Sequence, residues 1–263
     1  MNILSKIVSK RKEETNLQKK IRGLDEIKSS ESFHRQTYSL SKKIKESEIS
    51  IIAEHKRKSP SKKEINFQTP SSKIIKGYEK NGASGISVLT EKNFFSGSEN
   101  DLILARKLTD LPILRKDFIV DEYQVFESKY LGADAILLIA TCLTDKEIIK
   151  LSELAKELDL DVLVEIHSKD ELKKVCIDSV DIIGVNNRNL KDFSVNVENS
   201  IEIGKEIPES FVKISESGLY KFEELKRLID FGYDGFLIGE LFMREIDPGY
   251  KLGNLINQIK GES

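Results

Sequence analysis

Short apolar runs recur along the chain, each closing on a polar or small residue and each followed by a stretch with helical spacing. The eight runs read IIAEHK, ISVLTE, PILRKDF, AILLIA, DVLVEIH, DIIGVNNR, FVKISES and GFLIGE, beginning near Ile51, Ile86, Pro112, Ala135, Asp161, Asp181, Phe211 and Gly235. Strand and helix alternate at about 20 to 35 residues per unit, the spacing that parallel βαβ units require. Eight such units predict an α/β fold, a (β/α)8 TIM barrel, whose strand C-termini all open on one face.

Helical periodicity is clearest over residues 122–131, 145–158 and 221–231, with Thr144 and Asp145 placed as an N-cap. Gly82, Gly132 and Gly232 stand where helices should stop, since glycine accepts the left-handed C-terminal conformation. The long loop with turn chemistry is RKSPSKKEINFQTPSS, residues 57–72, after the first strand. Residues 1–48 differ from the rest. Ile3, Leu4 and Ile7, then Leu17, Ile21, Leu24 and Ile27, recur at helical spacing among Lys, Arg and Glu. They predict one or two amphipathic helices, either a solvated extension packed on the barrel or an element that covers substrate. The expected organisation is one domain over 1–263, with an N-terminal helical extension (1–48) and the barrel (49–263).

Parity along each strand sorts the strand ends, because side chains alternate faces. One face carries Ile52, Glu54 and Lys56; Leu114, Lys116 and Phe118; Leu163, Glu165 and His167; Ile182, Gly184, Asn186 and Arg188; Val212, Ile214 and Glu216. Each set starts apolar or small and ends in a functional group. Arg115 with Asp117, and Val164 with Ile166, have the opposite parity and suit the layer between strands and helices. Two lysines, three carboxylates, an amide and an arginine therefore meet at one mouth. Burying such groups costs several kcal/mol of hydration each. The alternatives are a ring of salt bridges that closes the barrel top, or tuned proton donors and acceptors.

A second signal lies in the last two units. Ser215, Glu216, Ser217 and Gly218 follow the seventh strand, and Ile238, Gly239 and Glu240 close the eighth. Glycines there let backbone approach a ligand, and free N–H groups can hold phosphate; barrels often place phosphate at this pair of loops. His55 has the wrong parity for the mouth and reads as a packed or surface residue, and His167 as a hydrogen-bonding neighbour of Glu165. Cys142 reads as a small buried or loop residue. Phe94 and Phe95 could be core, lid or an aromatic wall for a ligand.

Composition narrows the function classes. A net charge of −2 with 33% charged residues argues against a nucleic-acid binder. Two cysteines cannot make a disulfide framework, and no His/Cys spacing suggests a metal. The longest apolar run, residues 135–140, is too short for a membrane span, and the N-terminus lacks a signal-peptide core. A cytoplasmic protein with no membrane or nucleic-acid partner is expected.

The motifs EHKRKSPSK, ISVLTEKNFFSGS, PILRKDFIVDEYQ, LGADAILLI, LVEIH, IGVNNRNL, SESGL and FLIGELFM resemble those of the indole-3-glycerol phosphate synthase family, over essentially the whole chain. The resemblance implies a (β/α)8 barrel with N-terminal helices over its mouth. It implies a lyase of tryptophan biosynthesis, acting without metal or organic cofactor as a monomer or weak homodimer. Its reaction converts 1-(2-carboxyphenylamino)-1-deoxyribulose 5-phosphate to indole-3-glycerol phosphate, carbon dioxide and water. By resemblance Lys116 stabilises developing oxygen charge, Glu165 and Lys56 serve the dehydration, and Glu54 orients Lys56. Asn186 would bond sugar hydroxyls or carboxylate, Arg188 the carboxylate, and Glu216 would support the lysines. Ser59, Ser217, Gly218, Gly239 and the backbone at Glu240 would take the phosphate, while Phe95, Phe118, Leu190 and Leu237, with Ile238, would wall the substrate. His55, Lys58, Lys63 and Gln68 depart from the family pattern beside the mouth, which bears on loop conformation and phosphate affinity. Two other readings stay open: a sugar-phosphate isomerase like phosphoribosylanthranilate isomerase, which uses a Cys/Asp pair, and a phosphate-ligand binder without catalysis.

Overall fold

The computed structural model describes residues 3–189 and 192–261. Eight parallel strands close into a barrel in sequence order: β1 (Ser50–His55), β2 (Gly85–Leu89), β3 (Ile113–Lys116), β4 (Ala135–Ile139), β5 (Asp161–Ile166), β6 (Ile182–Asn186), β7 (Val212–Glu216) and β8 (Gly235–Ile238). Closure runs through β1 and β8, where Ile52 pairs with Leu237 and Ala53 with Ile238. The parity is as expected. Ile52, Leu114, Leu137, Leu163, Ile182, Ile214 and Leu237 fill the barrel interior. Ala53, Val88, Ile136, Val164 and Ile183 face the surrounding helices in a second, larger cluster.

The helices on the barrel wall are α4 (Ser71–Lys80), α5 (Glu99–Leu108), α6 (Glu122–Leu131), α7 (Asp145–Glu157), α8 (Lys169–Leu172), α9 (Glu198–Gly204), α10 (Phe222–Asp230), α11 (Glu240–Met243) and α12 (Pro248–Lys260). Thr144 caps α7 in a capping box with Glu147, and Gly132 ends α6 at φ 101°. Gly82 and Gly232 likewise take positive φ just after α4 and α10. Besides the loop after β1, a second long connection separates β6 from α9. Its NNRNL opening masks it as a strand end in sequence.

Three α-helices precede the barrel where one or two were expected: α1 (Ile3–Ile21), α2 (Leu24–Ser29) and α3 (Leu40–Glu46), with a 3-10 turn at Glu31–His34. They occupy both ends of the barrel. Leu40 and Ile44 of α3 join the interior cluster, and a Cβ at Gly85, where β2 begins, would meet Leu40 Cδ1 at 2.6 Å. Helix α3 therefore plugs the base. Helix α1 reaches the other end, with Ile3, Leu4 and Ile7 lining the mouth. Of the stripe read through Leu17, Ile21, Leu24 and Ile27, only Ile27 is buried, and Ile21 is 74% exposed. Helix α1 buries Ile7, as its spacing predicts, together with Arg11 and Thr15, and beyond Ile7 an ion pair replaces apolar contact. Arg11 Nη2 donates to Asp117 Oδ2 at 2.9 Å.

Candidate active site

A cleft with about 1150 Å³ of empty space, counting the solvent at its open rim, occupies the C-terminal end of the barrel. Lys116, at the end of β3, donates to Glu165 of β5 at 3.0 Å and to Glu216 of β7 at 2.5 Å. The Asn186 amide donates to the other Glu165 oxygen at 3.0 Å, and His167 Nε2 lies 3.5 Å from that same oxygen. Lys56, one residue past β1, donates to Glu54 at 2.5 Å. Strand parity and closure thus assemble five ionisable groups from residues up to 162 positions apart in the chain.

Two glycines make the room. A Cβ on Gly184 would strike the Glu216 carboxylate, and one on Gly239 would come within 2.6 Å of Glu54 Oε1. Three glutamates face two lysines, and their environments separate them. Burial opposes charge on Lys116, yet Glu216, Glu165 and Glu54 outweigh it and raise its pKa above the ordinary lysine value. Burial would also raise Glu165, but Lys116, His167 and the Asn186 amide pull it below the ordinary carboxylate value. Glu216 moves up: burial dominates, Glu165 adds to it, and Lys116 only partly compensates. Such divergence separates groups that release a proton from groups that stay ionised.

The far side of the cleft is a polar cradle. Ser217 and Gly218 take consecutive left-handed conformations, φ 68° and 74°; for serine this costs about 1–3 kcal/mol. Asn187 holds the turn through the Ser217 carbonyl, and a Cβ on Gly218 would strike Val195. Gly239 and Glu240, at the start of α11, lie beside them. Ser59 faces this cradle from a turn closed by its backbone pairing with Lys62. The Glu240 carboxylate takes Lys62 at 3.4 Å, Arg188 at 3.8 Å and Arg244. Phe95 and Phe118 wall the apolar side, their rings 6.1 Å apart, with Leu237 and Ile238 below.

Of the residues singled out from sequence, the cleft collects Glu54, Lys56, Ser59, Phe95, Lys116, Phe118, Glu165, Asn186, Arg188, Glu216, Ser217, Gly218, Leu237, Ile238, Gly239 and Glu240. Leu190 lies outside the described residues. Phe94 packs against the barrel interior, while Phe95 alone of the pair lines the cleft. Asn186 spends its amide on Glu165, and Arg188 leans to Glu240. Sequence reasoning missed Lys62 and Glu91, while Ile3, Leu4 and Ile7, read as the apolar face of an N-terminal helix, do line the cleft. Lys62 could have been found from its place in the SPSK turn. Buried His55 lies outside the mouth, and Cys142 packs at the edge of the interior cluster with its thiol pushed up to about 12 by burial. Among the described residues no group of three or more His, Cys, Asp or Glu could hold a metal ion, and no helix is long and apolar enough to cross a membrane.

Fold and mouth together define a (β/α)8-barrel enzyme of the phosphate-ligand type. Solved barrels share the architecture: 3-hexulose-6-phosphate synthase from Salmonella typhimurium superposes with a TM-score of 0.64 at 13% identity, covering 80% of this chain and all of that one. A thiamine phosphate pyrophosphorylase from Pyrococcus furiosus gives 0.61 at 16% identity, covering 85% and 99%. At such identities the likeness concerns the fold alone. The sequence goes further: the family model for indole-3-glycerol phosphate synthase matches residues 4–255, and the chain belongs to that family. The indole-3-glycerol phosphate synthase of Bacteroides thetaiotaomicron is 42% identical over 259 residues, covering 98% of this chain and 99% of that relative. That of Campylobacter jejuni strain 81-176 is 45% identical over 258 residues, covering 97% and 100%.

Proposed function

We propose that the chain closes the indole ring of indole-3-glycerol phosphate from 1-(2-carboxyphenylamino)-1-deoxyribulose 5-phosphate, with release of carbon dioxide and water. The observation that carries this reading is the Lys116 ammonium clamped between Glu165 and Glu216 at the barrel mouth. The phosphate lies in the cradle of Ser59, Ser217, Gly218, Gly239 and the Glu240 backbone. The aromatic ring lies against Phe95 and Phe118, and the substrate carboxylate meets the Arg188 fork. The ring carbon bearing the carboxylate attacks the ketone carbon, and Lys116 donates a proton to the oxygen as its charge develops. Carbon dioxide leaves with its bond electrons returning to the ring. Loss of the hydroxyl as water needs an acid, supplied from Lys56 or Lys116, and a base, Glu165, to take the proton from the neighbouring carbon. Glu54 orients Lys56 through its hydrogen bond, and Glu216 holds Lys116 charged.

A sugar-phosphate isomerase of the Cys/Asp type is disfavoured by Cys142, whose thiol is held far from ionisation and which ends no strand. The deciding experiment is turnover of that substrate by purified protein, followed by indole fluorescence after exhaustive treatment with chelator. Ring closure is the expected result, and no signal at micromolar enzyme would refute the assignment.

A further inference from the structure

Glu91 is fully buried, 0% exposed, two residues beyond β2. A carboxylate taken out of water normally needs a cation or a metal to hold it. Glu91 has neither among the described residues. Its partners are backbone: Oε1 accepts the Asn93 N–H at 2.9 Å, and Oε2 accepts those of Phe94 at 2.7 Å and Phe95 at 3.0 Å. Its own carbonyl accepts the Gly97 N–H at 2.7 Å, and Ser98 N–H returns to the Leu89 carbonyl. One side chain therefore wraps the whole turn after β2 around itself.

The turn is otherwise poorly favoured. Ser96 sits at φ 53°, and a Cβ on Gly97 would come within 2.5 Å of the Leu89 carbonyl oxygen and 2.8 Å of that of Glu91. What this conformation delivers is Phe95, whose ring closes the apolar wall of the cleft against Phe118. We propose that Glu91 is the positioning residue of the substrate's aromatic subsite: its carboxylate fixes the backbone from which Phe95 projects, and so sets affinity for the aromatic ring. This inference rests on the proposed function for the nature of the ring.

Chemistry and ring binding are then separable, because the lysines and Glu165 lie on other strands. Glu91→Gln puts an amide N–H against backbone N–H groups and leaves at most one acceptor for three donors. The expected result is a KM raised about tenfold with a much smaller fall in kcat, as for loss of uniform binding. Phe95→Ala should raise KM as well, and the double variant should be no worse than Phe95→Ala alone, since one acts through the other. Gly97→Ala attacks the same turn without touching the buried charge, and should reproduce the KM rise. The chain has no tryptophan, so Phe95→Trp gives a single reporter whose acrylamide quenching should increase when Glu91→Gln is added. An unchanged KM in both Glu91→Gln and Gly97→Ala, multiplied KM effects in the double variant, or unchanged quenching would overturn the proposal. The quenching arm needs no turnover, so failure of ring closure in the unmodified protein would strike the function and leave this test standing.

Discussion

Lys116 stays charged where burial alone would strip its proton, because two carboxylates sit at hydrogen-bond distance and a third adds its field. Those three glutamates would repel one another without it, so the lysine and the acids are interdependent. Lys116→Ala and Glu165→Gln are each expected to lower turnover by at least about two decades while the fold is retained, the scale for general acid–base groups. Circular dichroism and indole fluorescence check the two halves of that statement. Near-normal rates in either variant would remove the assigned role. The residues themselves were readable from parity: Glu54, Lys56, Lys116, Glu165 and Glu216 stood out as charges ending apolar runs. The Glu54–Lys56 pair, two residues apart on one face, was legible too. That Lys116 would lie between Glu165 and Glu216 was not, since it depends on where Gly184 leaves space across neighbouring strands.

Helix α1 shows how an element with a weak apolar stripe is held on the barrel. Asp117 Oδ2 accepts Arg11 at 2.9 Å, Thr90 at 2.5 Å and Arg115 at 3.4 Å, and Arg115 continues to Glu127 at 2.7 Å inside the helix layer. The Arg11 guanidinium is 6% exposed. Burial disfavours its charge, but Asp117 and Glu14 more than offset this and raise its pKa. Replacing Arg11 by Met keeps the length and deletes the charge, and should cost about 2–3 kcal/mol. That is less than the full price of breaking a buried pair, because Arg115 and Thr90 remain on Asp117. Urea unfolding measures it, and limited trypsin digestion should show α1 released first. A loss within about 0.5 kcal/mol, the range of an ordinary surface change, would discount the anchor. Sequence periodicity picked out the helix and its inward Ile3, Leu4 and Ile7, but it also followed Leu17 and Ile21, which are exposed. The tether is polar and its partner lies 106 residues away, so no window of local sequence contains it.

At the scale of the whole molecule, stability should carry an acid limb from a residue outside the active site. His55 ends β1 on the face turned to the helices, is 2% exposed, and its Nε2 has no hydrogen-bond partner among the described residues. Burial pushes its pKa from 6.5 down to about 4; Arg57 works in the same direction, and Asp101 and Glu54 oppose it. The unfolded chain therefore binds the proton first. His55 costs nothing above pH 6.5, and stability falls as pH drops from 6.5 towards 4, by up to about 3 kcal/mol. Urea midpoints between pH 7.5 and 4.5 should show this slope, and His55→Val, an aliphatic side chain in an apolar layer, should flatten it. An equal slope in both proteins would assign the acid limb elsewhere.

The sequence by itself determined the repeating unit and therefore the barrel. Eight apolar runs with intervening helical periods match the count that closes a parallel sheet into a barrel, and alternation along a strand decides which residues face inward. Strand starts, the α6 and α7 boundaries and the glycine stops follow from local backbone preference, so they were legible without neighbours. The tertiary structure decided everything that depends on distance across the closed sheet. It placed Lys116 between Glu165 and Glu216, turned the Asn186 amide to Glu165, and set one N-terminal helix at the mouth and another in the base. It also wrapped the Phe95 turn around a buried glutamate. The Glu91 turn spans only a few residues, but its service to the cleft, like the meeting of Lys116 with Glu165 and Glu216 from 49 and 100 residues away, needs the closed barrel to bring separate strands to one mouth.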